Sequence, residues 1–243
     1  MRFEDTDRER SSKQFEDVAL RALSELGLDY DKGPFRQSER TDVYVNALQK
    51  LLASGDAYVA EETKDEEGEH VIRFRNPMKE ITFTDVIRGD ITIDSTDFGD
   101  FVIARSEQNP LYHLTVVVDD LDMGVTHVIR GEDHITSTPR QILIIEAIGG
   151  AVPTYAHLPL IVGEDNKKLG KRHGAVTYDE FRNMGILPQT ILNYLALLGW
   201  NSGDDREFFT KDELISEFSL ERVNNSPAKF SYDKLHHINH HYM

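Results

Sequence analysis

Apolar residues recur at helical spacing in two segments near the start of the chain. In the first segment they are Phe15, Val18, Ala19, Ala22, Leu23 and Leu26. This spacing predicts an amphipathic helix, with Ser11 or Ser12 as its N-terminal cap and Gly27 as its end. The same pattern predicts a second helix over about 39–53, with Gly55 beyond it. Both apolar faces are expected to pack into the core.

Short runs typical of β-strands follow the second helix. They cover 71–75, 80–87, 90–93 and 101–105, and they are separated by Pro77, Gly89 and Gly99. Such runs between turn-forming residues predict a β-rich unit in this part of the chain.

The next apolar runs, 114–118 and 125–129, predict buried strands. A predicted helix over about 138–148 leads to a further strand over 158–162. This strand-helix-strand pattern indicates an α/β fold, in which ligands bind at the ends of the strands. From 178 onward the pattern is helical, with breaks at Pro188, Gly199 and Pro227.

Composition narrows the class of protein. The 243 residues include no cysteine, which excludes disulfides and thiolate metal sites. The formal net charge of −16 opposes nonspecific nucleic-acid binding, so a nucleic-acid partner requires local basic patches. No apolar run approaches the roughly 20 residues of a membrane span. We therefore expect a cytoplasmic protein without a membrane segment, and a solvated acidic loop over 61–69.

A basic loop framed by glycines follows the strand predicted at 158–162. Its cations are Lys167, Lys168, Lys171 and Arg172. Ammonium and guanidinium groups on a flexible backbone can close around phosphate oxygens, which favours a polyphosphate site. An ordinary basic surface loop is the alternative, and this loop alone leaves both open.

Four further segments accompany the loop in a recognisable order. They are 2–11 (Arg-Phe-Glu-Asp-Thr-Asp-Arg-Glu-Arg-Ser), 37–40 (Gln-Ser-Glu-Arg), 126–134 (Thr-His-Val-Ile-Arg-Gly-Glu-Asp-His) and 192–200 (Leu-Asn-Tyr-Leu-Ala-Leu-Leu-Gly-Trp). With the loop, they closely resemble bacterial glutamyl-tRNA synthetase over nearly the whole chain. The loop and the Arg-Gly-Glu-Asp-His segment are the most specific parts of this resemblance.

The resemblance implies a class I aminoacyl-tRNA synthetase. Such an enzyme activates glutamate with ATP and Mg²⁺, releases pyrophosphate, and transfers the glutamyl group to the 3′-terminal ribose of tRNA(Glu). The implied fold is a partial Rossmann-type catalytic domain in two parts, 1–56 and 109–176. An acceptor-binding β-rich insertion would cover 57–108 and a helical stem-contact domain 177–243. A monomer without a zinc site is expected.

Site residues follow from the same resemblance. Lys168 and Lys171 match the lysines of the Lys-Met-Ser-Lys-Ser signature, which neutralise charge on the departing pyrophosphate, and Lys171 is the stronger match. Gly170 stands where the family usually has serine, which removes a hydroxyl and loosens the loop. His157 and Pro159 resemble part of the wall beside the adenine of ATP, although simple packing is an alternative.

Three residues resemble ligands of glutamate. Arg130 would grip a carboxylate, Tyr112 would contact the amino acid, and Glu4 would receive the ammonium group. Each has a structural alternative. For Arg130 it is an ion pair with Glu132 or Asp133, for Tyr112 packing in a turn, and for Glu4 a network with neighbouring arginines.

The chain also departs from the family at both ends. The His-Ile-Gly-His type segment and its preceding strand are absent before Met1, and the anticodon-binding domain is absent after Met243. We therefore expect a chain truncated at both ends that forms little glutamyl-adenylate alone. The alternatives are a noncatalytic tRNA- or nucleotide-binding paralogue and an enzyme that glutamylates a modified tRNA base.

Histidines near the end of the chain suggest a metal site by spacing alone. Asp233, His237 and His241 would share one helical face. A solvated helix surface is the better interpretation, so no metal site is predicted.

Overall fold

The computed structural model describes residues 1–6, 11–62, 69–170 and 177–243. Its first elements are β1 (Arg2–Phe3), α1 (Lys13–Glu25), β2 (Phe35–Arg36) and α2 (Thr41–Ser54). The two predicted helices are confirmed, and Ser12 caps α1 by accepting a hydrogen bond from the backbone N–H of Phe15. Strands β1 and β2 pair in parallel. Helix α2 buries its apolar face in the main core, as expected. The same expectation is wrong for α1, which has no buried residue and leaves Phe15 68% exposed.

An antiparallel sheet with the order β3-β4-β7-β8 follows α2. Its strands are β3 (Ala57–Glu62), β4 (Glu69–Phe74), β7 (Phe101–Ser106) and β8 (Asn109–Pro110). Between β4 and β7 the chain forms β5 (Glu80–Asp85) and β6 (Gly89–Asp94), an antiparallel hairpin. All four runs predicted as strands between 71 and 105 are confirmed as strands.

A second sheet places the end of β5 beside two parallel strands. These are β9 (His127–Gly131) and β10 (Thr154–Leu158), and the sheet order is β6-β5-β10-β9. Strand β10 is parallel to both β5 and β9, with His157 opposite Arg130 in the register. Helices α3 (Tyr112–Asp122) and α4 (Thr138–Ile148) pack against each other and contribute to the same core.

The strand predicted at 114–118 is wrong, because these residues form the middle of α3. All five side chains are buried, so the segment shows neither the period of two of a half-buried strand nor the polar face of a surface helix. The β-branched residues favour a strand by propensity, and burial between α2 and α4 overrides that preference. The strand predicted at 158–162 is also divided: β10 ends at Leu158, and β11 (Ile161–Val162) begins after Pro159.

The last part of the chain is helical, as predicted. Its elements are α5 (Tyr178–Asn183), α6 (Pro188–Leu197), α7 (Lys211–Glu217), β12 (Ala228–Lys229) and α8 (Tyr232–Tyr242). Strand β12 pairs in parallel with β11, so this part is joined by backbone hydrogen bonds to the strand that precedes the basic loop. None of the described helices is both long and apolar enough to cross a bilayer.

Candidate active site

Arg130 lies at the carboxyl end of β9, one residue before the strand ends at Gly131. Its guanidinium donates from Nε to His157 Nε2 over 3.2 Å and from Nη2 to Thr138 Oγ1 over 2.9 Å. The ring of Tyr155 lies beneath it, with its centroid 5.6 Å from Cζ. Two of the five guanidinium N–H donors are thus taken by described residues. The others can serve a carboxylate at the strand end, where parallel sheets bind ligands.

A buried Asp85–His157 pair lies behind Arg130. His157 Nδ1 is 2.6 Å from Asp85 Oδ2, and both side chains are fully buried. Burial lowers the pKa of His157, which favours the neutral imidazole. Because Nδ1 faces a carboxylate, it carries the proton, and Nε2 is left as an acceptor for Arg130.

A second ion pair closes the same edge of the sheet. The guanidinium of Arg88, in the β5–β6 turn, pairs with the carboxylate of Glu132 and donates to the carbonyl oxygen of His157 over 3.2 Å. Glu132 also accepts the backbone N–H of Leu160 over 3.0 Å. Glu132 is therefore occupied by Arg88, and within the described residues Arg130 forms no ion pair with Glu132 or Asp133.

Lys168 extends from a hairpin that begins with β11. Val162 and Lys168 are bridged as antiparallel neighbours, and Leu169 donates its N–H to Ile161 over 2.8 Å. The exposed ammonium of Lys168 is 2.6 Å from Asp133 Oδ2. This hydrogen bond lowers the pKa of the Asp133 carboxyl. Because Asp133 follows Arg130 by three positions, Lys168 and Arg130 reach the same strand end.

Lys171, the stronger match for a catalytic lysine, lies outside the described residues. Two other residues assigned to the ATP side are internal. Pro159 is buried and lies beside Gly199, where an added Cβ would come within 3.4 Å of the proline ring. His157 has no exposed side-chain surface. Their roles in an adenine wall stay predictions.

The predicted glutamate ligands Tyr112 and Glu4 lie at opposite ends of α3. Tyr112 is the first residue of this helix, and its ring centroid is 6.0 Å from that of His134, in the 3-10 helix that follows β9. Glu4 is paired with Arg2 at 3.0 Å, and Arg2 also binds Asp120 at 2.8 Å. Eight helical residues separate Tyr112 from Asp120, about 12 Å along the axis. The structure therefore groups Tyr112 with Arg130 and Lys168, and places Glu4 in the arginine network named as its alternative.

Three contributors to the site, Asp85, Arg88 and Thr138, were missed by the sequence analysis. One signal was available for Asp85. In β5 the buried positions alternate as Ile81, Phe83 and Asp85, so an acid occupies an inward position of an otherwise apolar face. A buried carboxylate requires several donors, and such a position predicts a polar partner in the core.

His113, next to Tyr112, leads to a testable pH dependence. Burial, followed by the charges of Arg140, Arg130 and His134, lowers its pKa to about 4. As the pH falls, the unfolded chain therefore binds this proton before the folded chain does. The contribution of His113 to the free energy of unfolding is complete above about pH 6.5 and is lost as the pH falls toward 4. The loss from this group alone is as much as about 3 kcal/mol.

Urea denaturation at pH 7 and pH 4.5 measures this loss. We expect His113→Phe to reduce the difference between the two pH values, whereas His236→Gln, at an exposed position, should leave it unchanged. An identical pH dependence in wild type and His113→Phe would contradict the assignment.

Two of the four histidines in α8, His237 and His241, are engaged in other contacts. His241 stacks on Phe208 with a centroid distance of 3.8 Å, and His237 Nε2 is 3.4 Å from Glu207. Within the described parts of the chain, no group of three or more His, Cys, Asp or Glu residues is arranged to hold a metal ion.

Comparison with known proteins relates this geometry to a family. The model for the catalytic domain of class I tRNA synthetases (E and Q) matches residues 1–66 and 60–237. A glutamate–tRNA ligase of Aquifex aeolicus is 46% identical over 276 residues, covering 98% of this chain and 58% of the relative. One from Sulfurihydrogenibium is 42% identical over 282 residues, covering 98% of this chain and 59% of the relative. The chain thus spans somewhat less than two thirds of these relatives.

Solved structures agree with the sequence comparison. The glutamate–tRNA synthetase of Elizabethkingia anophelis superposes with a TM-score of 0.93 at 30% identity, covering 99% of this chain and 63% of that one. A glutamate–tRNA ligase of Elizabethkingia meningosepticum, solved with its amino acid, gives 0.91 at 29% identity, covering 99% and 62%. The predicted α/β fold class is confirmed. By sequence and by fold, this chain belongs to the family of class I tRNA synthetases for glutamate and glutamine, and it matches their catalytic domain.

Proposed function

We propose that this chain supplies glutamate binding and part of the glutamate-activating chemistry of a glutamate–tRNA ligase. The observation that carries the proposal is the guanidinium of Arg130, held at the end of a parallel strand by His157 and Thr138 and not paired with an acid among the described residues. A partly buried cation without a counter-charge suits a carboxylate ligand. The curated relatives named as glutamate–tRNA ligases support glutamate as that ligand.

The proposed reaction joins glutamate to ATP. A carboxylate oxygen of glutamate attacks the α-phosphorus of ATP, and the bond to pyrophosphate breaks. Arg130 and Tyr112 hold glutamate, and Glu4 must exchange its ion pair with Arg2 for the ammonium group of glutamate. Lys168 and Lys171 neutralise the charge that moves onto pyrophosphate, which is the kind of electrostatic stabilisation that lowers such barriers. Lys168 must exchange Asp133 for a phosphate oxygen to do so.

The remaining substrates and conditions follow from this proposal. Mg²⁺ enters with ATP, because its phosphates supply the oxygen ligands that this ion prefers. His157 and Pro159 are proposed on the adenine side, 57–108 at the acceptor end of tRNA(Glu), and 177–243 at its stem. The partner tRNA accepts the glutamyl group, and the enzyme acts as a monomer in the cytoplasm.

Replacing Arg130 by lysine tests the carboxylate assignment. We expect glutamate to bind about 10 to 100 times more weakly, because lysine keeps the charge but loses the planar fork and its orientation. Equilibrium dialysis with radiolabelled glutamate, in the presence of ATP, measures the affinity. Arg206→Lys is the matched control, since Arg206 is paired with Asp204 and Glu217 in the helical part.

Equal glutamate affinity in Arg130→Lys and Arg206→Lys, or no glutamate binding by the wild-type chain, would contradict the proposal. Pyrophosphate exchange then separates the enzyme from a noncatalytic paralogue. Exchange that depends on glutamate supports activation by this chain alone, whereas ATP binding with neither glutamate binding nor exchange supports the paralogue.

A further inference from the structure

We propose that Asp85 and His157 are positioning residues for Arg130: Asp85 selects the His157 tautomer, and that tautomer orients the guanidinium. Which group donates and which accepts in the series Asp85, His157 and Arg130 is a property of the protein alone. The effect on glutamate binding rests on the proposed function. Neither residue needs to touch a substrate in this role. This positioning role is compatible with the full burial of the His157 side chain.

Asp85 is surrounded by donors. Its Oδ1 accepts the backbone N–H groups of Ile87 and Arg88, each over 3.0 Å. Its Oδ2 accepts the backbone N–H of His157 over 3.0 Å and Nδ1 of the same residue over 2.6 Å. Three of the four donors are backbone groups that cannot become acceptors. The carboxylate is therefore fixed, and the imidazole must present Nδ1–H to it.

This tautomer determines what the opposite edge of the ring offers to Arg130. With the proton on Nδ1, Nε2 carries a lone pair that accepts the Nε–H of Arg130. With the proton on Nε2, two donors would face each other across 3.2 Å, and Arg130 would have to leave. Tyr155 supports the arrangement, because its ring stacks on His157 at 6.0 Å with an interplanar angle of 12°.

Thr138 provides the second fixed point for the guanidinium. Its Oγ1 accepts from Arg130 Nη2 over 2.9 Å and lies 3.1 Å from His157 Nε2. Two contacts on a planar, rigid group define both its position and its rotation. A carboxylate ligand then meets a guanidinium that is already oriented, so less conformational entropy is lost on binding.

Asp85→Asn separates this role from simple packing, because the side chain keeps its size. The amide has one acceptor oxygen. Directed at Ile87 and Arg88, it satisfies two backbone donors and leaves one, the N–H of His157, opposite the NH₂ group, which then donates to His157 Nδ1. The reverse orientation would leave both backbone donors opposite an NH₂ group. We therefore expect the His157 proton to move to Nε2, which removes the acceptor for Arg130.

Long-range ¹H–¹⁵N correlation of the ligand-free protein reports the tautomer directly. The expected result is Nδ1–H in wild type and in Asp90→Asn, an exposed control in β6, and Nε2–H in Asp85→Asn. Glutamate affinity should fall about tenfold in Asp85→Asn, the effect of misorienting one charge-assisted contact, with ATP affinity unchanged.

Retention of Nδ1–H in folded Asp85→Asn would overturn the proposal. A changed tautomer with unchanged glutamate affinity would overturn the positioning role if Arg130→Lys weakens binding. If Arg130→Lys also leaves glutamate affinity unchanged, the proposed function fails. The observed tautomer then decides by itself whether His157 donates to Asp85 and accepts from Arg130. Should Asp85→Asn not fold, the tautomer of the wild-type protein decides the direction of the hydrogen bonds. Nδ1–H supports the proposal, and Nε2–H overturns it.

Discussion

Replacing Asp85 by alanine is expected to lower the free energy of unfolding by about 3 to 5 kcal/mol. The change removes the acceptor of three backbone N–H groups and of one imidazole N–H in a fully buried site. Each donor left without a partner costs about 1 to 3 kcal/mol, and water that enters the vacated space recovers part of this. The hydrogen bonds that are lost belong to the sheet that carries Arg130.

Urea denaturation at pH 7 measures the change, with Asp90→Ala as the control. Asp90 is exposed, and its carboxylate accepts one hydrogen bond from Thr84. This variant should stay within about 1 kcal/mol of wild type. A loss of less than 1 kcal/mol in Asp85→Ala would show that the four hydrogen bonds do not stabilise the fold as described.

The second large effect is expected for Asp119→Ala, again about 3 to 5 kcal/mol. Asp119 is fully buried in α3, and it accepts from Arg40 over 2.8 Å and from Gln37 and Tyr44 over 2.9 Å each. Its removal takes a fully buried carboxylate from Arg40 and leaves the Gln37 amide and the Tyr44 hydroxyl without this acceptor. Burial and the nearby carboxylate also raise the pKa of Tyr44, which therefore stays a hydroxyl donor.

Asp122→Ala provides a matched comparison in the same helix. Asp122 pairs with the same arginine, at 2.6 Å from Arg40 Nη2, but its side chain is 55% exposed. Because solvent screens this pair, its loss should cost less than about 1 kcal/mol. Thermal or urea denaturation of the two variants checks the contrast. Equal losses would mean that burial of Asp119 does not determine its contribution.

Local signals were enough to predict several elements. Ser12 before an apolar period of helical spacing marks the start of α1, and Gly55 marks the end of α2 in a left-handed conformation. The run 114–118 lacked such a signal, because burial on every side removes the polar face that reveals a helix. Strand β9 begins two residues later than predicted, because the apolar run starts before the strand does. Its predicted burial is wrong, since β9 lies at the end of its sheet with no buried residue and Ile129 is 51% exposed.

The site was predictable only in part. Sequence motifs pointed to Arg130 and Lys168, which reach one strand end. The partners that hold Arg130 were not readable, because Asp85 lies 72 positions before His157 and meets it only through the parallel pairing of β5 with β10. The order of strands in the sheet, and not the sequence spacing, brings these two residues together. The alternation of buried positions in β5 indicates that Asp85 needs a partner, but it does not say which one.

The pairing of β11 with β12 joins the hairpin that carries Lys168 to the helical C-terminal part of the chain. Ala228 donates its N–H to Leu160 and Phe230 donates to Val162, each over 2.9 Å. Lys168 therefore extends from a segment whose backbone is shared between two parts of the fold. The hairpin that carries Lys168 is thus joined directly to the segment that precedes the last helix, although the two are far apart in the sequence.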